Sequence, residues 1–230
     1  HSLFARYMLS TTFWEPAFEN AGGNILAATL GGRDNTVHSL ALGDSIVLNN
    51  SMVNNIRVAV SRTSVVRTHS DLFGPEDVGV NMFTYIPEYM NLTVTGAFSV
   101  NTGTETCSFY KPNTYSLADD LTMVRGNHQF GFGGAVAMSD WKTESNVRSM
   151  GPMSFNGGVT NLPLADFLLG RVFEFRQSTP FRQDIKQPYF ALYAQDTWRV
   201  SPNVTFNYGA RWEPWFPQDS VDQAVYTFDV

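Results

Sequence analysis

The sequence predicts an all-β chain, part of a transmembrane antiparallel β-barrel: a meander of long strands joined alternately by short turns and long loops. Three observations predict it. Charged residues make up 16% of the 230 and hydrophobic residues 43%, where a soluble domain carries roughly 25% charge. Gly, Asn, Ser, Thr and Phe fill the gap, a mix that suits strands with one apolar face and one small or polar face. Three segments repeat a layout of long strand, very short turn, long strand. Two long irregular stretches separate these segments, and structureless loops of that length are rare in compact soluble domains. Membrane barrels make them routinely, with short turns on the periplasmic side and long loops outside.

The first residues, HSLFARYMLS, read as strand, as do the last, AVYTFDV. The first hairpin is predicted over residues 38–62, turning near Asn49-Asn50-Ser51. The second covers residues 114–141 and turns at Gly126-Asn127, and the third covers residues 189–213 and turns at Ser201-Pro202-Asn203. Gly, Asn and Pro supply the backbone geometry of such turns. The irregular stretches fall at about 68–112 and 142–187. Within the first, VNMFTYIP and NLTVTGAFSV look strand-like. Within the second, NLPLADFLLGR (161–171) places Leu164 and Leu168 one helical turn apart with Gly170 as a stop. VFEFRQST after it reads as a further strand or strand extension.

Alternation with a period of two assigns faces. Val204, Phe206, Tyr208, Ala210 and Trp212 share one side of the last strand, and Thr205, Asn207, Gly209, Arg211 and Glu213 the other. His128, Phe130, Phe132, Val136 and Met138 oppose Gln129, Gly131, Gly133, Ala135, Ala137 and Ser139. Leu40, Leu42, Ile46 and Leu48 share a face, as do Ile56, Val58 and Val60. Phe190, Leu192, Ala194, Trp198 and Val200 point one way with Asp196 among them. A charge there is costly at mid-membrane but cheaper near the interface, and Asp196 lies close to the turn. Aromatics gather toward strand ends. Trp141, Tyr189, Trp198, Tyr208 and Trp212 are the expected membrane-interface girdle, with Tyr193 and Trp215 of the same character.

Several function classes lose support at this level. The net charge of −6, without clustered Lys or Arg, argues against nucleic acid as a partner. A single cysteine, Cys107, allows no internal disulfide framework. No apolar run reaches the length of a transmembrane helix, which barrel strands do not need. The glycine-rich stretch FGFGG at 130–134 lacks the spacing and following lysine of a phosphate loop, and its glycines read as small inward-facing positions. His1, His38, His69 and His128 have no His or Cys partner at zinc-ligand spacing. His69, Asp71, Glu76 and Asp77 form a small acidic patch of the kind that takes a hard divalent cation, or simply a solvated loop. Asp119 and Asp120 are adjacent on a strand and so face opposite sides, which excludes a shared-proton dyad. Arg199, Arg211 and Glu213 belong to a lumenal charge set. No residue set proposes a reaction, so no enzyme and no cofactor are expected.

Four blocks carry a family resemblance: SLALGDSIVLNNSMVNNIRVAVSR (39–62), DDLTMVRGNHQFGFG (119–133), FNGGVTNLPLADFLLGR (155–171) and YFALYAQDTWRVSPNVTFNYGARWEPWFP (189–217). Together they resemble the barrel of TonB-dependent receptors, and among these the Oar-like branch in which a carboxypeptidase-regulatory-like domain precedes the plug. The likeness is weakest across 68–112. It implies a barrel of about twenty-two strands around an internal plug, driven by energy passed from the inner membrane by TonB. Residues 1–230 then form an internal part of that barrel, with the plug, the TonB box and the regulatory-like domain outside it. A final valine in place of a terminal aromatic agrees with a fragment.

The resemblance implies uptake or export of an unknown substrate across the bacterial outer membrane, with lipid, TonB and the protein's own plug as partners. The loop aromatics Tyr85, Tyr89, Phe109, Tyr110 and Phe155 are the candidate contacts to an extracellular substrate. Two other readings stand beside it. One is a passive porin-like channel or a barrel-based surface adhesin. The other is a soluble carbohydrate-binding β-sandwich, which would need no detergent for extraction.

Overall fold

The computed structural model describes residues 1–16, 22, 24, 31–69, 72–100 and 107–221. The C-terminal strand expected at 224–230 lies outside these residues. Seven long strands lie side by side: β1 (Ser2–Trp14), β2 (Gly32–Asn49), β3 (Met52–Thr68), then β6 (Ser108–Arg125), β7 (His128–Ser145), β10 (Phe181–Ser201) and β11 (Val204–Trp212). Every neighbouring pair is antiparallel. A short strand, β12 (Asp219–Ser220), rejoins β10 beyond the end of β11.

The three tight turns sit where Gly, Asn and Pro placed them. β2 and β3 meet at Asn50-Ser51, where the Asn49 side chain accepts the Ser51 backbone N–H at 2.9 Å. β6 and β7 meet at Gly126-Asn127, with Gly126 at φ 62, a left-handed conformation that glycine adopts without a Cβ clash. β10 and β11 meet at Pro202-Asn203. Successive turns are staggered in one direction. Met52, the first residue of β3, pairs with Met123, short of the end of β6 at Arg125. His128, the first residue of β7, pairs with Trp198, short of the end of β10 at Ser201.

The strands run deeper into the connections than the sequence suggested. β6 starts at Ser108, β7 continues to Ser145 and β10 begins at Phe181, so the long connections span 69–107 and 146–180 and not 68–112 and 142–187. Alternation is clearest only where one face is apolar. Beyond Met138 both faces of β7 are polar apart from Trp141, and the pattern fades although the ladder continues.

The two long connections are not irregular. They pair with each other in a second sheet, in the order β5 (Phe98–Val100), β4 (Leu92–Val94), β8 (Met153–Phe155), β9 (Glu174–Phe175). β4 and β5 form the hairpin expected from NLTVTGAFSV. β4 and β8, one from each connection, run parallel through Leu92–Met153, Thr93–Ser154 and Val94–Phe155. A helix, α1 (Pro163–Leu168), packs against β8 and β4 and ends at Gly170 with φ 64. VNMFTYIP forms no strand, and only Glu174–Phe175 of VFEFRQST does.

The buried apolar core lies in this second sheet. Met90, Leu92, Val94, Val100 and Phe155 form it, with Phe98 and Phe167 packed edge-on. Among the described residues, the seven-stranded sheet contributes only Ile185 and Ala191 to the buried apolar set. It is a single layer with two uncovered faces. A sheet in water must bury its apolar face against another element, and nothing in the described chain covers this one.

Candidate functional site

Residues opposite one another across a ladder share a face, so the registers sort the large sheet into two surfaces. One carries Leu40 and Leu42 of β2, Ile56, Val58 and Val60 of β3, and Leu117 and Leu121 of β6. It continues through Phe132, Val136 and Met138 of β7, Phe190 and Leu192 of β10, and Phe206 and Trp212 of β11. Many of these are about two-fifths exposed, such as Val58 at 42% and Val136 at 45%. A contiguous apolar surface of this kind marks a membrane or protein contact.

Three carboxylates interrupt it, each close to a short turn and each with a partner. Asp196 is 5% exposed. Its Oδ2 accepts from the Tyr208 hydroxyl at 2.7 Å and lies 2.6 Å from His128 Nδ1. His128 is stacked between Phe130 and Trp198, with ring centroids 5.4 and 5.3 Å away. Asn54 Nδ2 donates to Asp119 Oδ1 at 2.8 Å, and His1 Nδ1 lies 2.9 Å from Asp44 Oδ2. Pairing of this kind offsets the cost of burying a charge at an apolar surface.

The opposite face is polar and small. Adjacent rows across four strands read Ser39, Ser61, Thr114, Ser139 and Ala41, Ala59, Ser116, Ala137. The next row is Gly43, Arg57, Ala118 and Ala135, followed on β10 by Ala191. Two hydrogen-bonded networks border this plateau. In the first, Arg57 pairs with Asp120 Oδ2, and Tyr193 donates its hydroxyl to Asp120 Oδ1 at 2.6 Å. Gly133 makes that reach possible: a Cβ there would stand 2.4 Å from the Tyr193 ring and 2.7 Å from Asp120 Oδ1. In the second, Tyr189 donates to Glu213 at 2.8 Å, Arg211 Nη2 donates to the Tyr189 oxygen at 2.9 Å, and Arg211 also pairs with Glu213.

Asp119 and Asp120 thus lie on opposite faces, and Arg211 and Glu213 form a mutual pair. Arg57, Tyr193 and Tyr189 complete networks that the sequence did not nominate. The available signal was parity, since Arg57, Asp120 and Tyr193 all fall on the small-residue side. Of the five aromatics expected at the interface, Trp198, Tyr208 and Trp212 lie on the apolar face. Trp141 pairs with Pro112 and Ile185 on the polar face, where Tyr189 also lies.

The five loop aromatics are not brought together. Phe109 and Tyr110 belong to β6 and not to a loop. Phe155 is buried in the second-sheet core. Tyr89 is 2% exposed and meets His69 edge-on at 5.1 Å. Burial, with Cys107 nearby, pushes its phenol above the ordinary range. Only Tyr85, packed edge-on against Phe83 at 4.9 Å, stays well exposed within its loop.

In the acidic patch, Asp77 Oδ2 accepts the Gly74 backbone N–H at 2.8 Å, closing a single helical turn at Glu76–Val78. Asp71 lies outside the described residues. Among the described residues no group of three His, Cys, Asp or Glu side chains stands close enough to hold a metal. The arrangement offers hydrogen bonds and paired charges along a wall.

No curated protein and no solved structure matches the chain. A family model described as "Outer membrane beta barrel domain" matches residues 1–230. With one apolar and one polar face on a single-layer sheet, and with that match over its whole length, the chain belongs to the outer-membrane β-barrel family and resides in the outer membrane.

Proposed function

We propose that the seven strands form part of the wall of a closed transmembrane barrel, and that the polar face lines a passage for polar solutes. The single observation that carries this reading is the clean sorting of the faces. The surface that would meet lipid is apolar, and the surface that would meet the lumen is built of Ser, Thr, Gly, Ala and paired charges. The one-directional stagger of the turns supports closure, because a barrel requires a fixed shear between neighbouring strands. The described sheet does not close on itself in an antiparallel ladder. β1 and β11 point the same way, so an odd number of further strands must stand between them. The short turns then face the periplasm and the second sheet stands outside the cell, and Trp198, Tyr208 and Trp212 serve as interface aromatics.

The passage is either open, as in a passive porin-like channel, or plugged and coupled to TonB. The family match, to an outer-membrane barrel, supports the first; the small-residue plateau is what speaks for the second, because side chains this short let another protein body pack closely against the wall. The Tyr–carboxylate–Arg networks at its border would then hold the plug as much as any substrate. An unidentified extracellular substrate would meet Tyr85 first.

Liposome swelling with the full-length protein tests both. Swelling in neutral sugars that scales with solute size supports an open passage. Tight liposomes that become permeable only when the segment preceding the barrel is deleted support a plug. Liposomes that stay tight in both forms refute a solute passage and leave an adhesive role.

A further inference from the structure

We propose that the polar face is an arginine-lined path for oxyanions, solutes that carry carboxylate or phosphate groups. The proposal deepens the reading above that this face lines a passage, and it rests on that reading.

The parity that separates the two faces also separates the charges. On the seven long strands the polar face carries Arg6, Arg33, Arg57, Arg67, Arg199 and Arg211. Its carboxylates are Asp120 and, directly after β11, Glu213. The three lysines of the chain, Lys111, Lys142 and Lys186, all lie on the opposite face, among carboxylates such as Asp140, Glu144 and Asp184. The net charge of −6 therefore conceals a wall with one cationic side. The choice of residue matters as well. A guanidinium is a planar fork that matches two oxygens of a carboxylate or phosphate, whereas an ammonium is a point charge.

The arginines run the length of the wall. Arg33 and Arg67 stand directly opposite each other at its long-loop end, with the Arg33 guanidinium 5.3 Å over the Trp14 ring. Arg6, Arg57 and Arg211 fall in three successive rows at mid-height, about 7 Å apart along the strands. Arg199 lies beside the Pro202-Asn203 turn. Arg57 has Asp120 and Arg211 has Glu213, and each of these carboxylates also accepts a tyrosine hydroxyl. Arg6 and Arg199 form no ion pair among the described residues. Arg6 Nη2 lies 3.7 Å from Met8 Sδ, and Arg199 Nη2 donates to the Pro202 carbonyl at 3.4 Å.

Even with the two at the mouth set aside, four exposed arginines face two carboxylates. The row that continues from Arg6 is Ala41, Ala59, Ser116 and Ala137, side chains too short to reach over a guanidinium. An oxyanion moving along this face meets cations that the wall leaves open, beside a low-dielectric sheet that concentrates their field. A neutral sugar gains nothing from that excess, and a cation is repelled by it.

The test records the full-length protein in planar phosphatidylcholine bilayers between potassium chloride solutions of unequal concentration, with insertion of every variant checked by heat-modifiable mobility. The expected reversal potential has the sign of chloride permeation, and citrate or inorganic phosphate competes with chloride where sucrose does not. Stronger competition by citrate assigns the path to carboxylates, and stronger competition by phosphate assigns it to phosphates. The Arg6→Gln/Arg199→Gln double variant should lower the preference for chloride over potassium roughly threefold or more, since one unit charge about 7 Å from a passing ion in water is worth about that factor. Lys111→Gln/Lys142→Gln, on the opposite face, should change nothing. A reversal potential at zero or with the sign of potassium, or one that the arginine variant leaves unchanged, overturns the proposal while the passage stands. An inserted protein that stays silent both with and without the segment preceding the barrel overturns the passage and this proposal with it.

Discussion

An arginine at Val136 separates the two faces of the sheet energetically. Val136 lies on β7 with Leu117 of β6 and Phe190 of β10 as its cross-strand neighbours on the apolar face, and its side chain is largely open to the surroundings. Ala135, one residue away, lies on the polar face beside Ala118 and Ala191. Both positions sit at the same depth, one row short of the last apolar row at Met138 and nearer the long-loop edge of the apolar face than the Gly126-Asn127 turn. A lipid-facing arginine near the bilayer midplane costs about 2–4 kcal/mol, whereas the same group on the lumenal side stays in water. The penalty falls toward the interface, so Val136→Arg should cost about 1–3 kcal/mol and lower the equilibrium constant for folding into vesicles by roughly 5-fold to 150-fold. Ala135→Arg should cost well under that. The assay is a urea titration of the full-length protein in phosphatidylcholine vesicles, read by tryptophan fluorescence and heat-modifiable mobility. Equal costs for the two variants, or a larger cost for Ala135→Arg, would refute the assignment of the apolar face to lipid.

His128→Ala leaves the buried Asp196 with Tyr208 as its remaining side-chain partner. It should lower the thermal midpoint, and a following Asp196→Asn should recover most of the loss, since it removes the charge that lost its partner. Phe155→Ala empties the core that joins β4 to β8 and should cost the second sheet about 3–5 kcal/mol. Hydrogen exchange would then rise in 90–100 and 153–155 together while the long strands keep their protection. Asp166 is held below the ordinary carboxylate range by the Thr160 hydroxyl and by the backbone N–H groups of Val159 and Thr160, against the opposing effect of burial. Because its folded pKa is depressed, its contribution is present above the unfolded value of roughly 4 and is lost as pH falls through the folded value. Exchange of the 157–166 amides should speed up in that acid range, and Asp166→Asn should abolish the pH dependence.

The sequence reveals those parts of the fold in which one physical rule acts alone. The three tight turns were legible because Gly126, Pro202 and the Asn residues leave few backbone alternatives. The faces from Val204 to Trp212 were legible because apolar residues alternate there with small or polar ones. The ends of β6, β7 and β10 were not, since above Met138 neither face is consistently apolar and alternation carries no information. The β4–β8 pairing was out of reach for a different reason. It joins Leu92–Val94 to Met153–Phe155 across the whole β6–β7 hairpin, and each partner is a three-residue strand with no local signature. The same separation hid the Arg57–Asp120–Tyr193 network. Parity placed all three on one side, but only the register of β3, β6, β7 and β10 brings them together. Trp141 and Tyr189 mark the limit of reading aromatics by type. A residue's position along a strand says nothing of its face until the ladder is known.

The two sheets are stabilised by different means, which explains how one chain can hold both. The long strands bury almost no apolar side chains within the described chain. As the proposed wall of a barrel, they are held by a ladder that pairs the backbone in an environment without water to compete for it, so each unpaired group would cost several kcal/mol. That condition tolerates the Ser, Gly and Ala plateau, because the polar face contributes little to holding the strands together and is left to the passage or a plug. On the proposed topology the second sheet stands in water, where short ladders alone are marginal. It persists through the core of Leu92, Val94, Val100 and Phe155 and through α1, whose Phe167 packs edge-on against Phe98 and Phe155. Substitutions on the wall should therefore act mainly on insertion and passage. Substitutions in the outer sheet should act on what the molecule presents to the outside, with little effect on the wall beneath.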